Sequence, residues 1–253
     1  MWHYRELFYF LVWRDVRIRY RQTLLGAAWA IIQPLFGMVV FTLFFGNLAK
    51  MPSDGIPYPI FFYSTLLPWT YFSTAINFSG NSLIGNAQLI RKVYFPRVTL
   101  PVASVLGGLL DFAIAFLILV GMMFYFKTGF GWGLLLWPVL ILELLLLALG
   151  IGMFLAALNV RYRDVKYAIP FVVQLWLFVT PIIWPMSIVP EKFRLLVQLN
   201  PLTGVMETFR STLFPGREIQ WQALLLSAAL TVIMLAVGWI YFRKTERTFS
   251  DMI

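Results

Sequence analysis

Six apolar stretches, at residues 25–48, 59–84, 102–126, 134–158, 169–185 and 223–242, constrain this chain more than any other feature. Each is close to the roughly 20 residues an α-helix needs to cross the hydrocarbon of a bilayer. Lipid offers no water to unpaired backbone groups, so such segments must be helical. The fifth stretch is the shortest and is interrupted by Pro181 and Pro185. Composition agrees: 12% of residues are charged, about half the fraction of a quarter common in soluble domains. The expected fold is an all-α integral membrane protein with six transmembrane helices. Residues 1–253 form one domain, since no repeat and no Gly/Ser/Pro-rich linker divides them.

Charge orients the spans. Residues 1–22 carry Arg5, Arg14, Arg17, Arg19 and Arg21, which interrupt any cleavable signal sequence and favour a cytoplasmic N-terminus. Six crossings bring both termini to that side. Fourteen of the 20 Lys and Arg residues then face the cytoplasm, and Lys50, Lys127, Lys192, Arg194, Arg210 and Arg217 face outward. Between spans five and six, Pro190 opens a short helix that Asn200-Pro201 breaks before a second one begins. Leu202, Val205, Met206, Phe209 and Leu213 make one apolar stripe on that second helix. Residues 187–220 read as an outer re-entrant hairpin dipping into the membrane edge. A pair of amphipathic helices lying flat on the surface fits the same pattern.

Several chemistries lack their residues. The chain has no cysteine and a single histidine, His3, so thiolate sites and convergent histidine sites have no basis. Gly-Lys never occurs, leaving the phosphate-cradling P-loop without its anchor. No HExxH or GxSxG motif is present. The chain is expected to be no enzyme, and to bind no metal and no cofactor of its own.

Four features offer function instead. The inner connection 86–97 mixes apolar and basic residues, with Ile90, Val93, Tyr94 and Phe95 around Arg91, Lys92 and Arg97. It suits docking to a partner groove, or a turn anchored by interfacial rings. As a helix, residues 1–22 align Trp2, Tyr9, Trp13, Val16 and Tyr20 on one face, with Arg14, Arg17 and Arg21 beside it. These arginines suit a lipid diphosphate, or simply anionic lipid at the cytoplasmic interface. In the second span Tyr63, Thr70, Ser73, Asn77 and Asn81 share a face, fitting either a sugar-passing path or helix–helix hydrogen bonding. Asp111 and Glu143 lie about ten residues into spans three and four, as proton carriers or as carboxyls bonded to neighbours.

Separated motifs resemble one family along nearly the whole chain. They are Arg14-Asp15-Val16-Arg17-Ile18-Arg19-Tyr20 with Leu25-Gly26, Trp29 and Pro34; Tyr94-Phe95-Pro96-Arg97 with Pro101; and Asn159-Val160-Arg161-Tyr162-Arg163-Asp164. Pro181-Ile182, Asn200-Pro201, Phe209-Arg210, Glu246, Phe249 and Asp251 complete the series. Together they resemble ABC-2-type permeases of O-antigen and capsular polysaccharide exporters. The resemblance implies a homodimer in the bacterial inner membrane, paired with two nucleotide-binding subunits that hold ATP and magnesium. No nucleic acid is expected as a partner. It implies that 86–97 couples to the ATPase, and that the outer hairpin gates the path through Phe193, Asn200, Pro201 and Phe209. The implied cargo is an undecaprenyl-diphosphate-linked glycan, O-antigen first, with capsule, teichoic acid, lipid or drug as alternatives.

Overall fold

The computed structural model describes residues 5–20, 28–128, 132–214 and 217–249, and these fold into helices with no strand among them. Helix α1 spans Arg5–Tyr20 and α2 spans Trp29–Phe41, continuing as a π-helical turn over Thr42–Leu48. Helix α3 spans Tyr58–Gly85 and a short α4 spans Ala87–Lys92. Helices α5 (Thr99–Gly107) and α6 (Leu109–Phe126) form one rod. Helix α7 runs over Trp137–Arg161 and α8 over Val165–Val179. Helices α9 (Glu191–Gln198) and α10 (Pro201–Leu213) precede α11 (Trp221–Thr245).

Four of these rods are long and apolar enough to cross a bilayer: Trp29–Leu48, Thr99–Phe126, Gly133–Arg161 and Trp221–Thr245. The remaining two expected spans differ for readable reasons. Helix α3 is 28 residues long, but Thr, Ser and Asn dilute its hydropathy. Helix α8 has 15 residues, because the chain turns extended at Thr180 (φ −89°, ψ 140°), as the ring of Pro181 demands.

Side-chain contacts fix the direction of each rod against α3, the central element. Phe41 stacks on Phe62 at 4.7 Å and Gly37 faces Leu66, so α2 is antiparallel to α3. Tyr63 Oη donates to the Ala115 carbonyl (3.1 Å) and Tyr71 Oη to that of Val105 (3.2 Å), so α5–α6 is also antiparallel. Gly152 meets Ser79, while Asn159 Nδ2 donates to the Gly80 carbonyl at 2.9 Å, which makes α7 parallel. Trp176 lies edge-on to Phe72 and Ile169 covers Gly80, making α8 antiparallel. Helix α11 runs parallel to α7, with Gly150 against Leu235 and Phe154 against Tyr241. The six rods therefore alternate in direction along the chain.

Close approach explains two glycines. A Cβ on Gly150 would lie 2.6 Å from the Leu235 Cα, and one on Gly238 would strike the Gly150 carbonyl. Backbone-to-backbone contact of this kind is how helices gain dispersion energy where lipid removes the hydrophobic driving force. At Gly108, which separates α5 from α6, a Cβ would press on the Tyr71 ring at 3.2 Å.

Two packed regions result. The larger centres on α3, with Phe61, Phe62, Phe72, Leu140, Leu147 and Phe209 enclosed. The smaller gathers one end of the bundle, joining Leu11, Leu83, Phe95, Met153, Phe242 and Phe249.

Candidate coupling face and outer hairpin

The smaller packed region carries residues 86–97. Helix α4 turns Ile90 inward, with Arg91 and Lys92 exposed on its last turn. The chain then extends, and alternation sends neighbouring side chains opposite ways. Phe95 is 4% exposed and Tyr94 is 90% exposed. Arg97 ties this segment to the end of α11. Its backbone N–H donates to Glu246 Oε1 (3.3 Å), its guanidinium donates to the Glu246 carbonyl, and it sits 6.0 Å from the Phe249 ring. Phe249 packs edge-on against Phe242 at 5.3 Å. Six sequence-predicted residues thus divide: Ile90, Phe95 and Arg97 form the base, and Arg91, Lys92 and Tyr94 face out.

Helix α1 lies against α5 at this same end. Leu11 and Val16 pack inward while Tyr9, Phe10 and Trp13 are exposed, so Val16 leaves the expected aromatic face. Arg14 pairs with Asp15 (2.7 Å), and Asp15 Oδ2 accepts from Ser104 Oγ at 3.1 Å. Arg17 is exposed, 5.6 Å from the Trp13 ring. Arg21 lies outside the described residues, as do Trp2 and Asp251.

The polar stripe of α3 is divided as well. Tyr63 is fully buried against α6, whereas Thr70, Ser73, Asn77 and Asn81 are half-buried. Thr70 donates to Leu66, Ser73 to Thr70, Asn77 to Ser73 and Asn81 to Asn77, each to a carbonyl of the same helix at 2.8–3.1 Å. Such back-bonding lets a polar side chain sit in a membrane helix without a partner element. Asn81 is the exception, because its Oδ1 also accepts from Asn159 Nδ2 at 3.1 Å and so links α3 to α7. Thr70 opens onto a groove of about 180 Å³ that Asp111, Gln33 and Trp29 also line. Glu143 is buried between α7 and α11.

At the opposite end the hairpin follows the proline signals. Asn200 caps α10, its Oδ1 accepting from the Leu202 N–H (3.2 Å) and from Trp176 Nε1 (2.9 Å). Its Nδ2 donates to Thr180 Oγ1 at 2.9 Å, anchoring the cap to the end of α8. Pro201 is buried at the first turn, and Phe209 is buried edge-on to Trp137 at 5.0 Å. Phe193 on α9 is exposed. The α10 stripe of Leu202, Val205, Met206, Phe209 and Leu213 is wholly buried, and the rest of the helix is enclosed too, save half-buried Ser211. Helix α10 meets the starts of both α7 and α11: Thr212 Oγ1 accepts from Trp137 Nε1 (2.9 Å), and Ser227 Oγ donates to the Pro201 carbonyl. These contacts place α10 at the end of the bundle where α7 and α11 begin.

Arg210 departs furthest from its sequence reading. Counted there among outward charges, it has zero exposure. Its guanidinium donates to Glu207 Oε1 (2.6 Å), to the Pro181 and Ile182 carbonyls (2.9 and 3.3 Å) and to Thr65 Oγ1 (3.3 Å), and lies 3.8 Å above the Phe61 ring. The carbonyls freed by the break after α8 thus become acceptors for a planar fork of donors. Opposite charges three residues apart inside an apolar helix were the available signal.

Comparison with known proteins fits this arrangement. Residues 6–214 match the family described as ABC-2 type transporter. An O-antigen export system permease protein, RfbA, of Myxococcus xanthus is 28% identical, covering 100% of this chain and 97% of the relative. A protein of the same name from Klebsiella pneumoniae is 25% identical, covering 95% and 92%. The polysialic acid transport protein KpsM of Escherichia coli is 25% identical, covering 92% and 91%. With a packed basic face at one end, a proline-framed hairpin at the other and a profile that covers most of its length, the chain belongs to the ABC-2 type transporter family.

Proposed function

We propose that this chain is the membrane subunit of an exporter that moves a lipid-linked polysaccharide, O-antigen in the first instance, out of the cytoplasm of a bacterium. Two copies line the path, and two separate nucleotide-binding subunits supply the ATP hydrolysis. The six alternating rods cross the inner membrane six times, which brings α1 and the end of α11 to the cytoplasm with most of the basic residues. Residues 187–220 enter and leave at the outer side as a re-entrant gate. Arg17, with Arg14 and Arg21, meets the diphosphate of the lipid carrier. The half-open strip of Thr70, Ser73, Asn77 and Asn81 faces the passing glycan.

The observation that carries this reading is Tyr94, a 90% exposed tyrosine beside exposed Arg91 and Lys92 on an otherwise tightly packed base. An aromatic ring left bare outside the lipid-facing rods is a natural anchor for a protein groove. Purification of the chain from native membranes, with the ATPase subunit identified by mass, tests the partnership. Tyr94→Ala is expected to keep nucleotide hydrolysis in the purified complex, while surface polysaccharide on cells carrying the variant falls at least about ten-fold. Unchanged export would remove the coupling role.

Capsule is the second reading, supported by the likeness to KpsM over 92% of this chain. Identifying which lipid-linked glycan accumulates inside cells lacking the protein separates the two.

A further inference from the structure

Beside the hairpin lies a cleft of about 490 Å³ whose lining, apart from Met186, is polar. Its size falls within the roughly 300–1,000 Å³ of small-ligand sites. One wall is fixed: Asp54 accepts from Ser187 Oγ (2.7 Å) and pairs with Arg217 (3.4 Å), which also donates to the Asp54 carbonyl. Buried Glu207 forms the floor and is held by Arg210. The side chains of Gln198, Ser211, Glu218 and Gln220 line the same cleft and make no hydrogen bond or ion pair among the described residues. In a chain with 12% charged residues, this concentration of polar groups calls for a cause beyond solubility.

Resting on the function proposed above, we propose that this cleft is an exit subsite that binds sugar residues of the emerging glycan through their hydroxyl groups. Charge narrows the ligand class. Arg194 and Arg217 in the lining, with buried Arg210 neutralising Glu207 from behind, balance Asp54, Glu207 and Glu218, so the site draws neither a polyanion nor a polycation. No group of three or more metal-ligating side chains exists among the described residues. What remains is amide, hydroxyl and carboxylate, each able to accept from or donate to paired hydroxyls of a neutral sugar. No aromatic ring lines the cleft, so a sugar is held by hydrogen bonds that exchange readily with water. A polymer in transit needs that balance, bound well enough to enter and weakly enough to leave.

The absence of cysteine makes the test direct, since an introduced thiol is the only maleimide target on this chain, which is purified after labelling to read its modification. Gln198→Cys, Ser211→Cys and Lys127→Cys, the last at the exposed far end of α6, are labelled from outside in spheroplasts with the ATPase subunit present. Glycan export is expected to slow labelling at Gln198→Cys and Ser211→Cys at least three-fold relative to cells blocked in glycan synthesis. Lys127→Cys should label equally in both. Lipid-free polysaccharide of the same cell, added outside, is expected to protect the same two positions. Equal labelling with and without glycan overturns the subsite, as does protection during export that added polysaccharide cannot reproduce, which marks gate movement. Failure of Lys127→Cys to label from outside overturns instead the orientation on which the function rests.

Discussion

Arg210 shows how much one side chain can settle. Its guanidinium joins α10 to α3 and to the break after α8, with Glu207 as counter-charge. Removing one member of a buried pair strands the other, at a cost of about 3–5 kcal/mol. Arg210→Met is therefore expected to lower the melting temperature sharply in detergent-solubilised protein, and Arg210→Lys to recover only part, because a single ammonium cannot span four acceptors. Glu207→Leu combined with Arg210→Met should be less damaging than Arg210→Met alone. At the other end Phe95→Ala should lose about 3–5 kcal/mol of stability by leaving a cavity, whereas Tyr94→Ala should melt like the parent protein. Thermal unfolding of the two variants side by side separates base from docking surface.

Among the elements, the α7–α11 contact and the tie between 86–97 and α11 make separate demands. Gly238→Val should disrupt bundle assembly, because the new Cβ would meet the Gly150 carbonyl. Gly121→Ala, with nothing within 4 Å of its Cβ, should instead stabilise its helix by about 0.5–1 kcal/mol. Melting temperatures of the purified variants decide between these opposite signs. Glu246→Ala removes the carboxylate that accepts from Arg97 and pairs with Arg243. Faster amide hydrogen exchange across residues 93–97 is the expected result. Much of this layout was legible in the sequence: the prolines placed both hairpin helices, and apolar runs placed the rods within a few residues, except that the fifth run, 169–185, carried past the break at Thr180 where α8 ends. Local signals end where distant residues meet. Alternation sends Tyr94 and Phe95 opposite ways once the segment is extended, but that Phe95 is the one facing inward depends on the packed region it shares with Leu83, Met153 and Phe242, which no local spacing reports. Likewise Arg210 looked like a surface charge because Thr65 and Pro181 lie 145 and 29 positions away.

For the molecule as a whole, the six rods leave broad apolar faces, with Phe36, Val39 and Phe44 on the first and Phe171, Leu175 and Phe178 on α8 exposed. Bilayer lipid covers such faces, and in the proposed assembly a second copy covers part of them. Native mass spectrometry in nanodiscs is expected to give two copies of this chain with two of the ATPase, and a stable single copy bound to ATPase would reject the dimer. Arginine burial also has a temporal side. Every group that receives Arg210, namely Phe61, Thr65, Pro181, Ile182 and Glu207, precedes it in the chain. A ribosome releasing this polypeptide from its N-terminus has already synthesised the receptor before the cation emerges. The guanidinium therefore need not wait in lipid for a partner still to be made.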